Sequence, residues 1–212
     1  GLFKSIDGGK NWKKVLYISD KIGIVDMEFS PDDPNTIYAA SWEVNRKPWT
    51  IMSGSKDGGI YKSVDGGQSW TKLFKGLPKG NIGKIDLATS PADTNRLYAL
   101  IEAGEGQGGV YVSYDKGSSF KVMSNRKELV NRPFYYCNIY AHPKNADVIY
   151  SSANKFMISM DAGKTWDIRE TPHGDNHDIW INPNHDNIWI QSNDGGGNVT
   201  FNSGKTWTTQ FN

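Results

Sequence analysis

The chain has 212 residues, a formal net charge of +1 at pH 7 and 37% hydrophobic residues, a composition that allows one domain with a sizeable core. The near-zero charge gives no electrostatic case for a nucleic-acid partner, and no apolar run is long enough for a membrane-spanning helix. A single cysteine, Cys137, excludes an intrachain disulfide framework.

The first predicted element is a strand, a turn and a second strand over residues 1–18, built around an eight-residue motif. In this motif an Asp starts a tight turn by bonding back to the backbone, and a Gly two residues later takes a positive φ. An aromatic residue follows three positions after that Gly, and apolar residues precede the turn, as in a β-hairpin. This copy reads Ser5-Ile6-Asp7-Gly8-Gly9-Lys10-Asn11-Trp12.

The motif returns four more times, so the remaining elements are predicted as repeats of one unit. Its acidic or amide positions lie 41 to 58 residues apart, which fits the four strands of a propeller blade. A Pro followed by polar turn residues keeps step with the motif inside each unit. The predicted blades span residues 22–76, 82–123, 135–169 and 177–211, after the half blade at 1–18. The motif residues that we interpret as structural turn formers are Asp7, Asp65, Asp115, Asp161 and Asn202.

The predicted fold is therefore an all-β propeller of four-stranded antiparallel blades, within the single segment 1–212. The half blade lacks two inner strands, and the C-terminal end does not supply them. We expect a segment of a larger propeller with six or more blades, so the remaining blades are predicted partners. The alternative is a self-contained ring of four blades, which the half blade argues against.

One end of the predicted blades carries the long loops, including one at residues 45–57. Successive turns of an antiparallel blade alternate between its two ends, so the motif turns and the Pro-marked turns share the other end. Function usually lies on loops over a rigid scaffold. Aromatic and arginine side chains there could stack on sugar rings or a peptide, or could pack the loops onto the blades. The candidate ligand-binding residues are Trp42, Arg46, Trp49, Tyr135, Tyr136, His173 and His177.

A row of polar residues lies five positions before each marker Pro, early in the first strand of each blade. These residues are Asp26, Asp86, Asn138 and Asp178. Glycoside hydrolysis needs one carboxyl as acid and a second as base or nucleophile, so the three Asp residues are candidate catalytic groups. The alternative is that each caps a backbone group where a blade begins.

The run from His173 to Asp178 places two His and two Asp within six residues. Such side chains can bind a divalent cation, so His173, Asp175 and His177 are candidate metal ligands. A hydrogen-bonded loop is the alternative. The sequence suggests no other cofactor.

The whole chain resembles the Asp-box, or BNR, repeat propellers, including sortilin-like proteins and bacterial proteins described as glycosyl hydrolases. The motif is similar to S-x-D-x-G-x-T-W. The supporting stretches are Gly59-Ile60-Tyr61-Lys62-Ser63-Val64-Asp65-Gly66-Gly67, Gly76-Leu77-Pro78, Ser90-Pro91-Ala92-Asp93 and His177-Asp178-Ile179-Trp180-Ile181-Asn182-Pro183. The resemblance implies a secreted, periplasmic or cell-surface protein. The sequence does not match the arginine triad with which sialidases bind a carboxylate.

Two functions follow as expectations. The first is a binding module that recognises a glycan or a protein segment through its loop-rich end. The second is a glycoside hydrolase that acts on a polysaccharide with two of the three Asp residues. Carboxylates bonded to backbone amides would favour the binding module.

Overall fold

The computed structural model describes residues 1–209, which are built almost entirely of antiparallel β-strands. The strands are β1 (Leu2–Lys4), β2 (Lys13–Leu16), β3 (Ile22–Ser30), β4 (Asp33–Lys47), β5 (Thr50–Ser53), β6 (Gly59–Ser63), β7 (Thr71–Leu73), β8 (Ile82–Thr89), β9 (Leu97–Ala103), β10 (Gly109–Ser113), β11 (Lys121–Ser124), β12 (Asn138–Ala141), β13 (Ile149–Ser152), β14 (Phe156–Ser159), β15 (Asp167–Arg169), β16 (Asn176–Ile181), β17 (Trp189–Asn193) and β18 (Gly196–Thr200). A short 3-10 helix occupies Lys127–Val130. Within residues 1–209 we find no helix of the length and apolarity that a membrane crossing requires.

The strands form successive sheets in chain order. β1 and β2 pair as a two-stranded sheet, and the first blade contains β3, β4, β6 and β7, with β5 paired to the end of β4. The second blade is β8–β11, the third is β12–β15, and the fourth contains β16–β18. This order confirms the predicted all-β class of antiparallel blades. The last blade begins at Asn176, one residue before its predicted start, and its predicted end at residue 211 lies outside the described residues.

Each copy of the eight-residue motif forms the same hydrogen-bonded turn. In the second copy, Ser63 Oγ donates to Asp65 Oδ1 at 2.7 Å and accepts the Gly67 N–H at 2.8 Å, while the Ser69 N–H donates to Asp65 Oδ1 at 2.9 Å. The other four copies repeat these three bonds, with Thr and Asn in place of Ser and Asp in the last one. The motif side chains are therefore engaged in local turn bonds.

A backbone hydrogen bond joins the motif turn of each blade to its Pro-marked turn. The bonds, with their N···O distances, are Gly66–Asn35 at 2.9 Å, Lys116–Asn95 at 2.9 Å, Ala162–Asp147 at 2.8 Å and Ser203–Asn187 at 3.0 Å. Because these two sets of turns lie together, the remaining connections lie at the opposite end of the blades. We call that opposite end the loop face.

Three apolar clusters fill the junctions between consecutive blades. Tyr98 is fully buried between the second and third blades, and its hydroxyl donates to Ala146 O of the third blade at 2.6 Å. Tyr38 makes the corresponding bond to Lys116 O of the second blade at 3.1 Å. Full burial of one large apolar side chain contributes about 1.5–3 kcal/mol, so these junctions hold the blades in a fixed arrangement.

The predicted loop at residues 45–57 is partly a β-hairpin, which corrects the sequence interpretation. β4 continues to Lys47, residues 48 and 49 turn the chain, and β5 returns with Arg46 opposite Ile51. Thr50, Ile51 and Met52 favour an extended backbone, and Pro48 has the fixed φ that suits a tight turn. The hairpin extends the first blade beyond the loop face.

Candidate functional site

The predicted row of polar residues bridges neighbouring blades. Each of its first three members bonds to the backbone of the first strand in the next blade. The bonds are Asp26 Oδ2 with the Leu87 N–H at 2.6 Å, Asp86 Oδ2 with the Ile139 N–H at 2.7 Å, and Asn138 Nδ2 with His177 O at 2.7 Å. A backbone partner satisfies the polar atom of each side chain and fixes the register between blades.

Burial raises the pKa of the carboxyl groups in this row and beside it, so these groups hold their protons more tightly. Burial raises the pKa of Asp86 to about 8, and the charge of Asp26 adds to the effect. Burial likewise raises the pKa of Glu28 to about 7 and raises the pKa of Asp26. Lys84, whose charge opposes the shifts at Asp26 and Asp86, donates to Asn138 Oδ1 at 3.0 Å. We call Asp26, Glu28, Lys84, Asp86 and Asn138 the axial cluster.

Asp178, the fourth member of the row, lies in a different setting. It is exposed on β16, whereas Asp26 and Asp86 are largely buried. Burial raises the pKa of Tyr140, and the charge and hydrogen bond of Asp178 raise it further. Of the three predicted catalytic acids, Asp26 and Asp86 therefore bridge neighbouring blades, and Asp178 is exposed.

A second group of side chains lies on the loop face. The Phe134 ring packs edge to face against Trp42 and Tyr135, with centroid distances of 5.6 and 5.4 Å. The guanidinium carbon of Arg46 lies 5.9 Å from the Phe134 centroid and 5.5 Å from the Tyr135 centroid, within the range of cation–π attraction. These contacts join the β4–β5 hairpin of the first blade to the loop that precedes the third blade.

Arg132 and Tyr136 extend this group toward the fourth blade. The Arg132 guanidinium carbon lies 5.2 Å from the Tyr135 centroid, and Arg132 pairs with Asp175 Oδ2 at 3.3 Å. Tyr136 donates to Asp175 Oδ1 at 2.5 Å. Arg132 and Asp175 have φ angles of 62° and 53°, in the left-handed region that non-glycine residues seldom adopt. We call Trp42, Arg46, Arg132, Phe134, Tyr135 and Tyr136 the aromatic–arginine cluster.

Glu102 connects the two clusters. Its Oε2 accepts Ser53 Oγ of the hairpin at 2.5 Å and the Lys84 N–H of β8 at 2.9 Å. Ser53 Oγ in turn accepts the Trp42 Nε1–H at 2.9 Å. Because charged hydrogen bonds are stronger than neutral ones, Glu102 holds the hairpin against the second blade.

The structure brings together four of the seven predicted ligand-binding residues, Trp42, Arg46, Tyr135 and Tyr136, and places His177 5.3 Å from the Tyr136 ring. Trp49 stands apart at the hairpin tip, 78% exposed, with Lys47 Nζ 5.9 Å from its ring centroid. His173 is exposed, and its Nδ1 lies 3.0 Å from Gly174 O.

The three predicted metal ligands do not converge. Among residues 1–209, no group of three or more His, Cys, Asp or Glu side chains is placed to hold a metal ion. The physical reason is that each predicted ligand has another contact. Asp175 is engaged by Tyr136 and Arg132, and His177 Nε2 lies 2.9 Å from Asp194 Oδ1.

Several residues of the two clusters were not predicted from the sequence. Glu28 and Lys84 lie two positions from Asp26 and Asp86, so strand periodicity offered a signal for them. Arg132 and Phe134 sit beside the predicted Tyr135 and Tyr136. Glu102 gave no local signal, because its role depends on the hairpin.

Comparison with known proteins identifies the fold. No family profile and no curated protein matches the chain. An ancestral GH74 enzyme superposes with a TM-score of 0.59 at 16% identity, covering 90% of this chain and 24% of that one. The GH74 xyloglucanase from Xanthomonas campestris superposes with a TM-score of 0.60 at 17% identity, covering 93% of this chain and 31% of the xyloglucanase. YCF48 from Cyanidioschyzon merolae superposes with a TM-score of 0.56 at 16% identity, covering 93% of this chain and 58% of YCF48.

These proteins are larger than this chain, which spans from about a quarter to somewhat over half of their length. Identities of 16–17% show the fold alone and leave the chemistry to the site itself. Together with the repeated antiparallel blades, they show that the chain is a β-propeller whose blades match part of larger propellers.

Proposed function

We propose that this chain is a binding module that recognises a glycan through the aromatic–arginine cluster. The observation that carries the proposal is the cluster itself, which joins loops of two blades and leaves the Tyr135 side chain 47% exposed beside two guanidinium groups. A sugar ring has an apolar C–H face that packs on an aromatic ring and hydroxyls that accept hydrogen bonds from arginine. A sugar ring can therefore contact both the aromatic rings and the arginines of the cluster.

The contacts of the axial cluster support binding over catalysis. Asp26 and Asp86 each accept a backbone N–H from the next blade, at 2.6 and 2.7 Å. A carboxylate in this role holds two blades in register, and its removal would leave a buried N–H without a partner. The carboxylates therefore have a structural role that does not require a reaction.

The same proposal includes the repeat family of the chain and its cellular location. Five copies of one self-bonded turn support membership of the Asp-box, or BNR, sortilin-like propellers. Through that resemblance we extend the proposal to a secreted, periplasmic or cell-surface location. Further blades of a longer chain are part of this proposal.

Glycoside hydrolysis is the second candidate function, and one observation favours it. With a pKa of about 8, Asp86 holds its proton at neutral pH, as a general acid must, and Asp26 is a nearby second carboxyl. The fold is shared with a GH74 xyloglucanase, although at a level that shows the fold alone.

A polysaccharide panel tests both functions in the same samples. We expect retardation of the chain in affinity electrophoresis by at least one polysaccharide and no release of reducing ends. Tyr135→Ala should weaken binding about tenfold, whereas Phe201→Ala, which alters an exposed aromatic of the last motif turn, should not. Binding by a protein segment and by no polysaccharide would overturn the glycan assignment. Reducing-end release abolished by Asp86→Asn in a folded variant would make the chain a hydrolase.

A further inference from the structure

The exposed Arg46 side chain contacts two aromatic rings and has no oxygen partner among residues 1–209. Its guanidinium carbon lies 5.9 and 5.5 Å from the ring centroids of Phe134 and Tyr135. Arg96, Arg126 and Arg132 each pair with at least one carboxylate. Arg169, the remaining arginine, has no carboxylate partner among residues 1–209, and no aromatic ring contacts its guanidinium there. Arg46 therefore lies on the proposed binding face with its hydrogen-bond donors available.

A guanidinium that contacts aromatic rings and keeps its N–H donors free is suited to a carboxylate. Arginine presents its N–H donors in a rigid planar fork that matches the two oxygens of a carboxylate. Cation–π contacts with Phe134 and Tyr135 restrict the Arg46 side chain before a ligand arrives, which lowers the entropy cost of forming the pair. A neutral sugar has no carboxylate, so it would not pair with two of these N–H donors in the same planar geometry.

We propose that the loop face takes an acidic polysaccharide, with Arg46 pairing with the carboxylate of a uronic-acid residue whose ring packs beside Tyr135. This inference rests on the proposed function and names the ligand class of the same site.

The charges around Arg46 agree with an anionic ligand. Lys47 follows Arg46 on β4, and its Nζ lies 5.9 Å from the exposed ring of Trp49. Arg132 lies on the Tyr135 ring and is compensated by Asp175 at 3.3 Å. The β4–β5 hairpin thus adds two positive charges without a carboxylate partner in the described part of the chain.

The test uses the 212-residue chain and four soluble polymers. They are polygalacturonate, the same polymer with methyl-esterified carboxyls, neutral xyloglucan and poly-glutamate. We expect polygalacturonate to bind at least tenfold more tightly than its methyl ester, with an affinity that falls as salt is added. Arg46→Lys keeps the charge but loses the fork and should weaken polygalacturonate binding about tenfold. Arg169→Lys, at the exposed end of β15, is the matched control and should bind as the unchanged chain does.

Each other outcome overturns a defined part of the reasoning. Equal affinity for the acid and its methyl ester, or an unaltered affinity in Arg46→Lys, would overturn the uronic-acid pairing. Binding of xyloglucan alone would also overturn it and leave the proposed glycan-binding function standing. Binding of poly-glutamate as tightly as polygalacturonate would show that the site takes carboxylate polymers without needing a sugar ring, and would overturn the uronic-acid pairing. Binding of none of the four polymers would overturn the inference, and the wider polysaccharide panel would then decide the proposed function.

Discussion

Replacement of Asp86 by Asn should stabilise the chain at neutral and alkaline pH. The Asp86 carboxyl is buried at a blade junction, and its pKa of about 8 means that ionisation is costly there. Asn keeps the oxygen that accepts the Ile139 N–H at 2.7 Å and cannot ionise. The chain itself has an Asn at the same register position in the next blade, where Asn138 Nδ2 donates to His177 O. An amide therefore also bridges blades at this position, with the opposite bond direction.

The size and sign of the effect follow from the pKa shift. A carboxyl whose folded-state pKa lies above its unfolded value of 3.8 loses stability as pH rises from about 4 and reaches a plateau near pH 8. Each pKa unit corresponds to about 1.4 kcal/mol, so the full shift sets an upper limit of about 6 kcal/mol. Because the Asp86 residue keeps some solvent exposure and its titration is linked to the charges of Asp26 and Glu28, we expect about 2 kcal/mol.

Urea unfolding of both proteins from pH 4 to pH 9 measures this difference. The free energy of unfolding should be nearly equal at pH 4, and Asp86→Asn should become more stable as pH rises to 8. Asp167→Asn, on the exposed strand β15, is the control and should follow the unchanged chain. Asp86→Ala should destabilise the chain by about 1–3 kcal/mol at pH 4, because the Ile139 N–H loses its partner. The difference should shrink toward pH 8, because ionisation of Asp86 then destabilises the unchanged chain. An Asp86→Asn variant that is less stable than the unchanged chain at pH 8 would refute the reasoning.

Three further predictions concern the turns, the blade junctions and the hairpin. Ser159→Ala should cost about 1–3 kcal/mol in denaturant unfolding, because the buried Gly163 N–H loses its acceptor. The control is Ser118→Ala, which removes only an exposed bond to Asp115 O and leaves the Gly117 N–H bonded to Ser113; equal effects would contradict the turn assignment. Tyr98→Phe removes the 2.6 Å bond to Ala146 O and the 2.9 Å bond that the Tyr98 hydroxyl accepts from Arg96, and should lower the unfolding free energy by about 1–3 kcal/mol. Tyr61→Phe, whose hydroxyl bond is 3.5 Å, should change it little. Glu102→Gln should weaken polysaccharide binding several-fold in affinity electrophoresis, with a stability change of about 1 kcal/mol; unaltered binding would show that the Ser53 contact does not position the site.

The repeated turns and the blade order were predictable because they depend on local chemistry. In each motif a Ser or Thr, an Asp or Asn and a Gly within five residues satisfy one another, and the result needs no distant contact. The row at Asp26 and Asp86 was predictable for a related reason. A fixed distance from the marker Pro fixes which strand position faces the next blade.

The remaining site features depend on tertiary contacts. Trp49 lies at the hairpin tip because β4 pairs with β5. The mixed polar and apolar residues of this segment gave no sequence pattern that predicts the pairing. Arg132 adopts a left-handed φ of 62° that its residue type disfavours, so surrounding contacts with Asp175 and Tyr136 must select it. Glu102 acts across two blades, and no sequence spacing links it to Ser53.

Hydrogen exchange, compared with and without the most tightly bound polysaccharide of the panel, tests most directly whether the loop face is the binding surface. We predict slower exchange at residues 42–53 and 131–136 and unchanged exchange at the motif turns around Asp65, Asp115 and Asp161. Slower exchange confined to those turns, with residues 42–53 and 131–136 unchanged, would contradict a binding site at the aromatic–arginine cluster.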